Sequence, residues 1–146
     1  MSIMAKKENS KIISKNIITL FLIAVIAVGV IIIKNKSVVD ITADGIKVSS
    51  MYSLDLKYEE IDEIVLKETL PENFYKTNGI DFFGGVHIGN YKAKDMEKIK
   101  AFIQKEQAPY IYIIVKGKSY NYVLFNAKDK QKTEELYKEI STKIKK

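Results

Sequence analysis

Residues 16–33 read NIITLFLIAVIAVGVIII, eighteen positions without a charged side chain, closed by Lys15 and Lys34. As an α-helix the run is about 27 Å long, close to the roughly 30 Å hydrocarbon layer of a bilayer. Lysines at its two ends can lay their stems along apolar surface and keep their ammonium groups in water. A helix that is apolar on every face needs burial all round, and no second helix of that kind follows in the chain. The expectation is therefore one N-terminal transmembrane helix over 16–33. A cleaved signal peptide is the competing reading, because Ala27-Val28-Gly29 places small residues as a cleavage site requires. Against it, the apolar run continues through Ile33, whereas a signal-peptide core usually spans only about 7 to 15 residues.

Charge sets the side of the membrane. The tail 1–15 carries Lys6, Lys7, Lys11 and Lys15, and the far flank carries Lys34 and Lys36. Lysine excess is retained on the cytoplasmic face, so the N-terminus is expected inside and the remainder outside, in a single-pass arrangement at the cell membrane. The formal net charge of +6 divides unevenly: 1–37 hold six lysines against Glu8, or +5, and 38–146 hold eighteen lysines against seventeen acids, or +1. A nucleic-acid module concentrates its excess on the folded surface and uses arginine as its bidentate reader. All 24 basic residues here are lysine, so nucleic acid is not an expected partner. No cysteine is present, which excludes a disulfide framework, thiol catalysis and cysteine-ligated zinc.

The expected division is a cytoplasmic tail 1–15, the helix 16–33, a linker 34–37 and one domain over 38–146. From Val38 the hydrophobic pattern acquires period two, as half-buried strands do. Strands are expected over 38–43 and 46–50, joined by the hairpin dipeptide Asp44-Gly45, then over 54–58 and 63–68. Residues 71–89 show no period and hold four of the seven glycines, so they read as a long loop. Loops of that length in compact domains usually have a task. Strands resume over 86–93 and 98–104 around an Asp95-Met96-Glu97 turn, and 110–116 with 119–125 form the clearest hairpin, rich in aromatic and β-branched residues. From Asp129, a good N-cap, Leu136, Ile140 and Ile144 recur every four residues beside Thr133 and Tyr137, predicting one amphipathic helix.

These segments carry a resemblance. Ile41-Thr42-Ala43-Asp44-Gly45-Ile46, then Thr77-Asn78-Gly79, Phe83-Gly84-Gly85 and Gly89-Asn90-Tyr91, then Pro109-Tyr110-Ile111, Leu124-Phe125-Asn126 and Thr133 with Leu136-Tyr137 occur in that order. The pattern resembles the bacterial pleckstrin-homology-like (PH-like) domain proteins of the small membrane-anchored type, over roughly 40–144. The resemblance implies a mainly β fold with one C-terminal α-helix, a partly open seven-stranded PH-like barrel capped by that helix. It implies no activity, because the fold is a scaffold for unrelated binding functions. The chain departs from the pattern in three places. The loop between the first two strands is short and acidic, Ala43-Asp44-Gly45, which speaks against inositol-phosphate binding there. The double proline is reduced to Ala108-Pro109, and Lys76 stands where other members carry arginine.

The candidate binding surface is the glycine-rich stretch 76–89 with its neighbour, namely Lys76, Asn78, Gly79, Phe82, Phe83, Gly84, Gly85 and Tyr91. Glycines permit close backbone approach, and two adjacent phenylalanines supply apolar contact. Three readings stand for it: a partner-binding surface, a set of tight turns over a satellite core, or phenylalanines dipping into the lipid interface. His87, the only histidine, reads as an ordinary strand residue, since a general base needs an orienting group and a metal site needs further ligands. Glu59, Glu60, Asp62, Glu63, Glu134 and Glu135 read as solvated faces. No triad, metal set, P-loop or dinucleotide fingerprint occurs, so neither an enzyme nor a cofactor is expected. The expected function is a membrane-anchored scaffold that recruits or regulates a membrane or envelope protein, with direct lipid binding through 76–89 as the alternative.

Overall fold

The computed structural model describes residues 3–36 and 38–145, with side chains over 12–31 and 39–145. Two units follow one another in the chain, 1–36 and 37–146. The first is a single helix, α1 (Ile3–Lys36), whose segment Ile12–Ile31 is long and apolar enough to cross a membrane. Its large side chains are exposed on all sides, Leu20 by 66% and Phe21 by 68%, as expected of a helix that takes lipid as its solvent. The helix starts earlier and ends later than the apolar run, so most of the tail and Lys34 to Lys36 of the expected linker are helical. The side chains of Lys6, Lys7, Lys11, Lys34 and Lys36, and Ser37 of the linker, lie outside the described residues.

The second unit opens with three antiparallel strands, β1 (Val38–Ile41), β2 (Gly45–Ser49) and β3 (Leu54–Lys57), in that spatial order. Alternation puts Ile46, Val48, Leu54 and Leu56 inside, at most 3% exposed, while Lys47 and Asp55 meet at 3.9 Å on the wet face. Thr42 fastens the first turn, its hydroxyl donating to Gly45 O at 3.0 Å. A 3-10 turn (Tyr58–Glu60) leads into six more strands: β4 (Ile61–Lys67), β5 (Tyr75–Phe82), β6 (Val86–Ala93), β7 (Met96–Ile103), β8 (Tyr110–Val115) and β9 (Tyr122–Phe125). They form one sheet in the order β4-β8-β9-β7-β6-β5. All its pairings are antiparallel except β7 with β9. The hairpin β8–β9 lies inside the sheet, flanked by β4 and β7.

Both faces of the larger sheet are covered. One face contributes Phe102, Ile111, Ile113, Val123 and Phe125 to a core shared with the three-stranded sheet and with Ile140 of helix α2 (Lys130–Ile144). Asp129 caps that helix by accepting from Lys132 N at 2.8 Å. The other face buries Tyr91, Ile99, Ile103, Tyr112 and Leu124 under Leu70 and Phe74 of the segment joining β4 to β5. There the Tyr112 hydroxyl donates to Thr69 O at 2.8 Å, and burial, with Tyr110 beside it, pushes that phenol up to about 12.

Four expectations are corrected. Among the described residues nine strands in two sheets stand where a partly open barrel of seven is expected, and neither sheet closes, because β4 and β5 end the larger one. The loop 71–89 is mostly a hairpin: β5 begins at Tyr75, and only Phe83, Gly84 and Gly85 connect it to β6. The turn expected at Asp95-Met96-Glu97 lies one residue earlier, with Asp95 at φ 59° and Met96 already opposite Ala93. Similarly, β9 starts at Tyr122 rather than Ser119.

Candidate functional site

The β5–β6 hairpin is built around two facing glycines. Gly79 lies opposite Gly89, and a Cβ on Gly89 would fall 2.4 Å from Asn78 O and 2.5 Å from Gly79 Cα. Without side chains at those two positions, the same face of the hairpin has room for a longer neighbour. Tyr91 fills it, its hydroxyl crossing the glycine pair to donate to Asp81 Oδ1. Phe74 stacks on the Tyr91 ring at 4.6 Å between centroids with 7° between planes, sealing it from above.

Asp81 is the hub of this arrangement. His87, its cross-strand partner, places Nδ1 2.9 Å from Oδ1, and Lys76 Nζ lies 3.1 Å from Oδ2. Burial works against the charge of Asp81, but the hydrogen bonds from Tyr91, His87 and Lys76 outweigh it and hold the carboxyl at about 2. The Tyr91 phenol is pushed far up, first by burial and then by its bond to Asp81. An ionised carboxylate only accepts, so His87 Nδ1 carries the proton it shares with Asp81. The opposite nitrogen, His87 Nε2, is buried and lies 4.0 Å from Glu106 Oε2. His87 therefore has a carboxylate orienter, which its surroundings in the sequence do not show. Tyr91 hydroxyl, the nearest hydroxyl of the network, is already committed to the same Asp81.

Phe82 and Phe83, adjacent in sequence, separate completely. Phe82 packs against the core shared with the three-stranded sheet, whereas Phe83 is 98% exposed at the tip. Gly84 and Gly85 take φ of 87° and 74°, and a Cβ on Gly85 would strike Glu106 Cβ at 2.3 Å. The tip thus rests on the 104–107 segment. That segment is in turn fixed by buried Asn126, which accepts from Gln104 N at 2.9 Å and donates to Lys105 O and to Gln107 O. On the other side of the hairpin, Asn78 Oδ1 accepts from the Tyr52 hydroxyl at 3.1 Å.

The eight sequence candidates therefore lie on one hairpin in three roles. Lys76 and Tyr91 belong to the Asp81 network, Asn78, Gly79, Phe82 and Gly85 anchor the hairpin, and Phe83 with Gly84 is presented to solvent. Asp81, Phe74 and Glu106 escape sequence reasoning, and Asn126 enters it only within the motif Leu124-Phe125-Asn126. A usable signal exists for Asp81: pairing folded about Gly84 sets Asp81 against His87 and Gly79 against Gly89.

The chain is an apolar, membrane-length helix followed by a two-sheet β domain with a buttressed hairpin. Comparison with protein-family models, with curated proteins and with solved structures finds no match.

Acid unfolding tests the network. The Asp81 carboxyl is lowered from 3.8 to about 2, so its contribution to stability is present above about pH 4 and is lost as pH falls through about 2. Urea midpoints of the wild type should fall over that window more steeply than those of Asp81→Asn. Parallel acid slopes would show that the three donors do not hold Asp81 ionised.

Proposed function

We propose that the protein is a membrane-anchored binding module that recruits or regulates a membrane or envelope protein through the tip of its β5–β6 hairpin. The observation that carries it is Phe83, a large apolar side chain 98% exposed on a turn whose strands are pinned by the Asp81 network and whose base is wedged against Glu106. An exposed aromatic on a rigid support loses little conformational freedom on binding, which is how a small contact gains affinity. Only Ser37 separates α1 from β1. A tether that short confines the domain near other membrane proteins and raises effective concentration, so a small interface suffices.

The charge flanking α1 supports an N-terminus inside and the β domain outside the cytoplasm. The reading as a PH-like domain is supported by the order of its motifs and by strands followed by a C-terminal helix; nine strands in two sheets are its departure from a partly open barrel of seven. The domain acts by binding and not by catalysis, without a cofactor and without nucleic acid.

A photo-crosslinking residue placed at position 83 of the full chain in intact cells should give a discrete adduct with another protein, and the same residue at position 47 should not. Adducts of equal pattern from both positions would sink the tip as a recognition element. Crosslinking to lipid from position 83 alone would favour the second reading, in which Phe83 enters the membrane interface. In that case Phe83→Ser should abolish liposome flotation of residues 38–146, which lack the membrane helix. Phe82 contributes to the core, so it is not part of this test.

A further inference from the structure

A second concave site lies at the other end of the same strands. It has a volume of about 310 Å³ and is lined by Lys92 of β6, Lys98 and Lys100 of β7, and Thr77, Ser119 and Tyr120 among others. Three lysines share one hollow, and no carboxylate lines it. An ammonium that leaves water loses hydration, a cost that an anion bound in the hollow would offset.

The lysines are held rather than loosely gathered. Lys100 Nζ donates to Ser53 O at 3.0 Å and lies 5.0 Å from the centre of the Tyr120 ring. Burial, and then the charge of Lys118, lower its pKa, which marks an ammonium short of compensating negative charge. Lys98 is fixed through its backbone, at φ 55°, with its carbonyl accepting from Asn121 N at 3.0 Å. A left-handed conformation at a lysine is strained and persists only where its surroundings impose it. Lys98 Nζ makes no ion pair among the described residues, and Lys92 reaches only Glu97, at 3.8 Å. Tyr120, Ser119 and Thr77 add hydroxyl-bearing side chains to the lining.

We propose that this hollow binds a phosphate-bearing anion, held by Lys92, Lys98 and Lys100. Lysine suits that ligand: it is a compact point charge with three donors and asks for no planar partner. The site does not depend on Phe83 or on the reading given under the proposed function. A phosphate group can reach it as a soluble ion or as the headgroup of an anionic phospholipid, and one experiment distinguishes the two.

The full chain, with isotope-labelled lysines, is placed in neutral phosphatidylcholine nanodiscs and titrated with inorganic phosphate at constant ionic strength, chloride being the exchanged ion. The lysine side-chain resonances of Lys98 and Lys100 should shift saturably. Removing one charge-assisted contact by Lys98→Gln should raise Kd about tenfold, with the melting temperature retained. Lys47→Gln, on the wet face of the smaller sheet, should leave Kd within about twofold, as expected for a remote exposed lysine. An equal response to chloride, an unchanged Kd in Lys98→Gln, or an equal loss in Lys47→Gln would overturn the proposal. In a second arm phosphatidylglycerol replaces part of the neutral lipid. If it shifts the same resonances and suppresses the phosphate titration, the headgroup is the ligand; if the lysines respond only to free phosphate, the ligand is soluble.

Discussion

Gly89→Ala should lower the stability of the β domain by about 3 kcal/mol or more, and its melting temperature by roughly 12 °C or more. Two costs add. Gly89 sits at φ 137°, which side-chain-bearing residues rarely adopt, and its Cβ would meet backbone atoms, Asn78 O at 2.4 Å and Gly79 Cα at 2.5 Å. Backbone on a paired strand cannot swing aside as a flexible side chain does, so relief requires the two strands to part. Their separation would also draw Asp81 away from His87 and Tyr91. Gly84 supplies the comparison, because it has positive φ but nothing within 4 Å of a Cβ. Gly84→Ala should cost only about 1 kcal/mol, the conformational part alone. Equal costs at the two positions would mean that the close glycine pair does not govern the hairpin. Thermal melts followed by circular dichroism measure both.

Phe125→Ala should cost about 3 to 5 kcal/mol, the range for deleting a buried aromatic ring. Phe125 has no exposed surface and lies between Phe102 of β7 and Ile111 of β8 in register. Its ring belongs to the core on which the smaller sheet and α2 both depend, so the lost contacts come from three elements rather than one. Urea unfolding of this variant beside Phe83→Ser provides the contrast. The tip residue is solvated already and should change stability by no more than about 0.5 kcal/mol. A small loss for Phe125→Ala would place the core elsewhere.

Legibility in the sequence followed how much each segment owes to local pattern. Residues 110–115 and 130–144 were readable because hydrophobic spacing alone dictates a buried strand and an amphipathic helix. The membrane-length helix was readable from composition, although its true ends were not, since lysine-rich flanks continue a helix without any apolar signal. Residues 75–89 misled because glycine at 79, 84, 85 and 89 erases the period-two signal on the very strands whose close approach requires it. Phe82 and Phe83 were indistinguishable as letters; register about Gly84 decides that one is core and the other bare. The parallel pairing of β7 with β9 depends on a crossover through 104–109, which Asn126 stabilises from a distance of about twenty positions. No local window contains that contact.

Membrane placement is the claim on which the proposed mode of action rests, and protease added to cells stripped of their wall tests it most directly. The β domain should be cut away while a fragment containing Ile12–Ile31 stays in the membrane pellet. Survival of the whole chain while an exported control is degraded would contradict the outside placement, and release of the intact domain without protease would contradict the anchor.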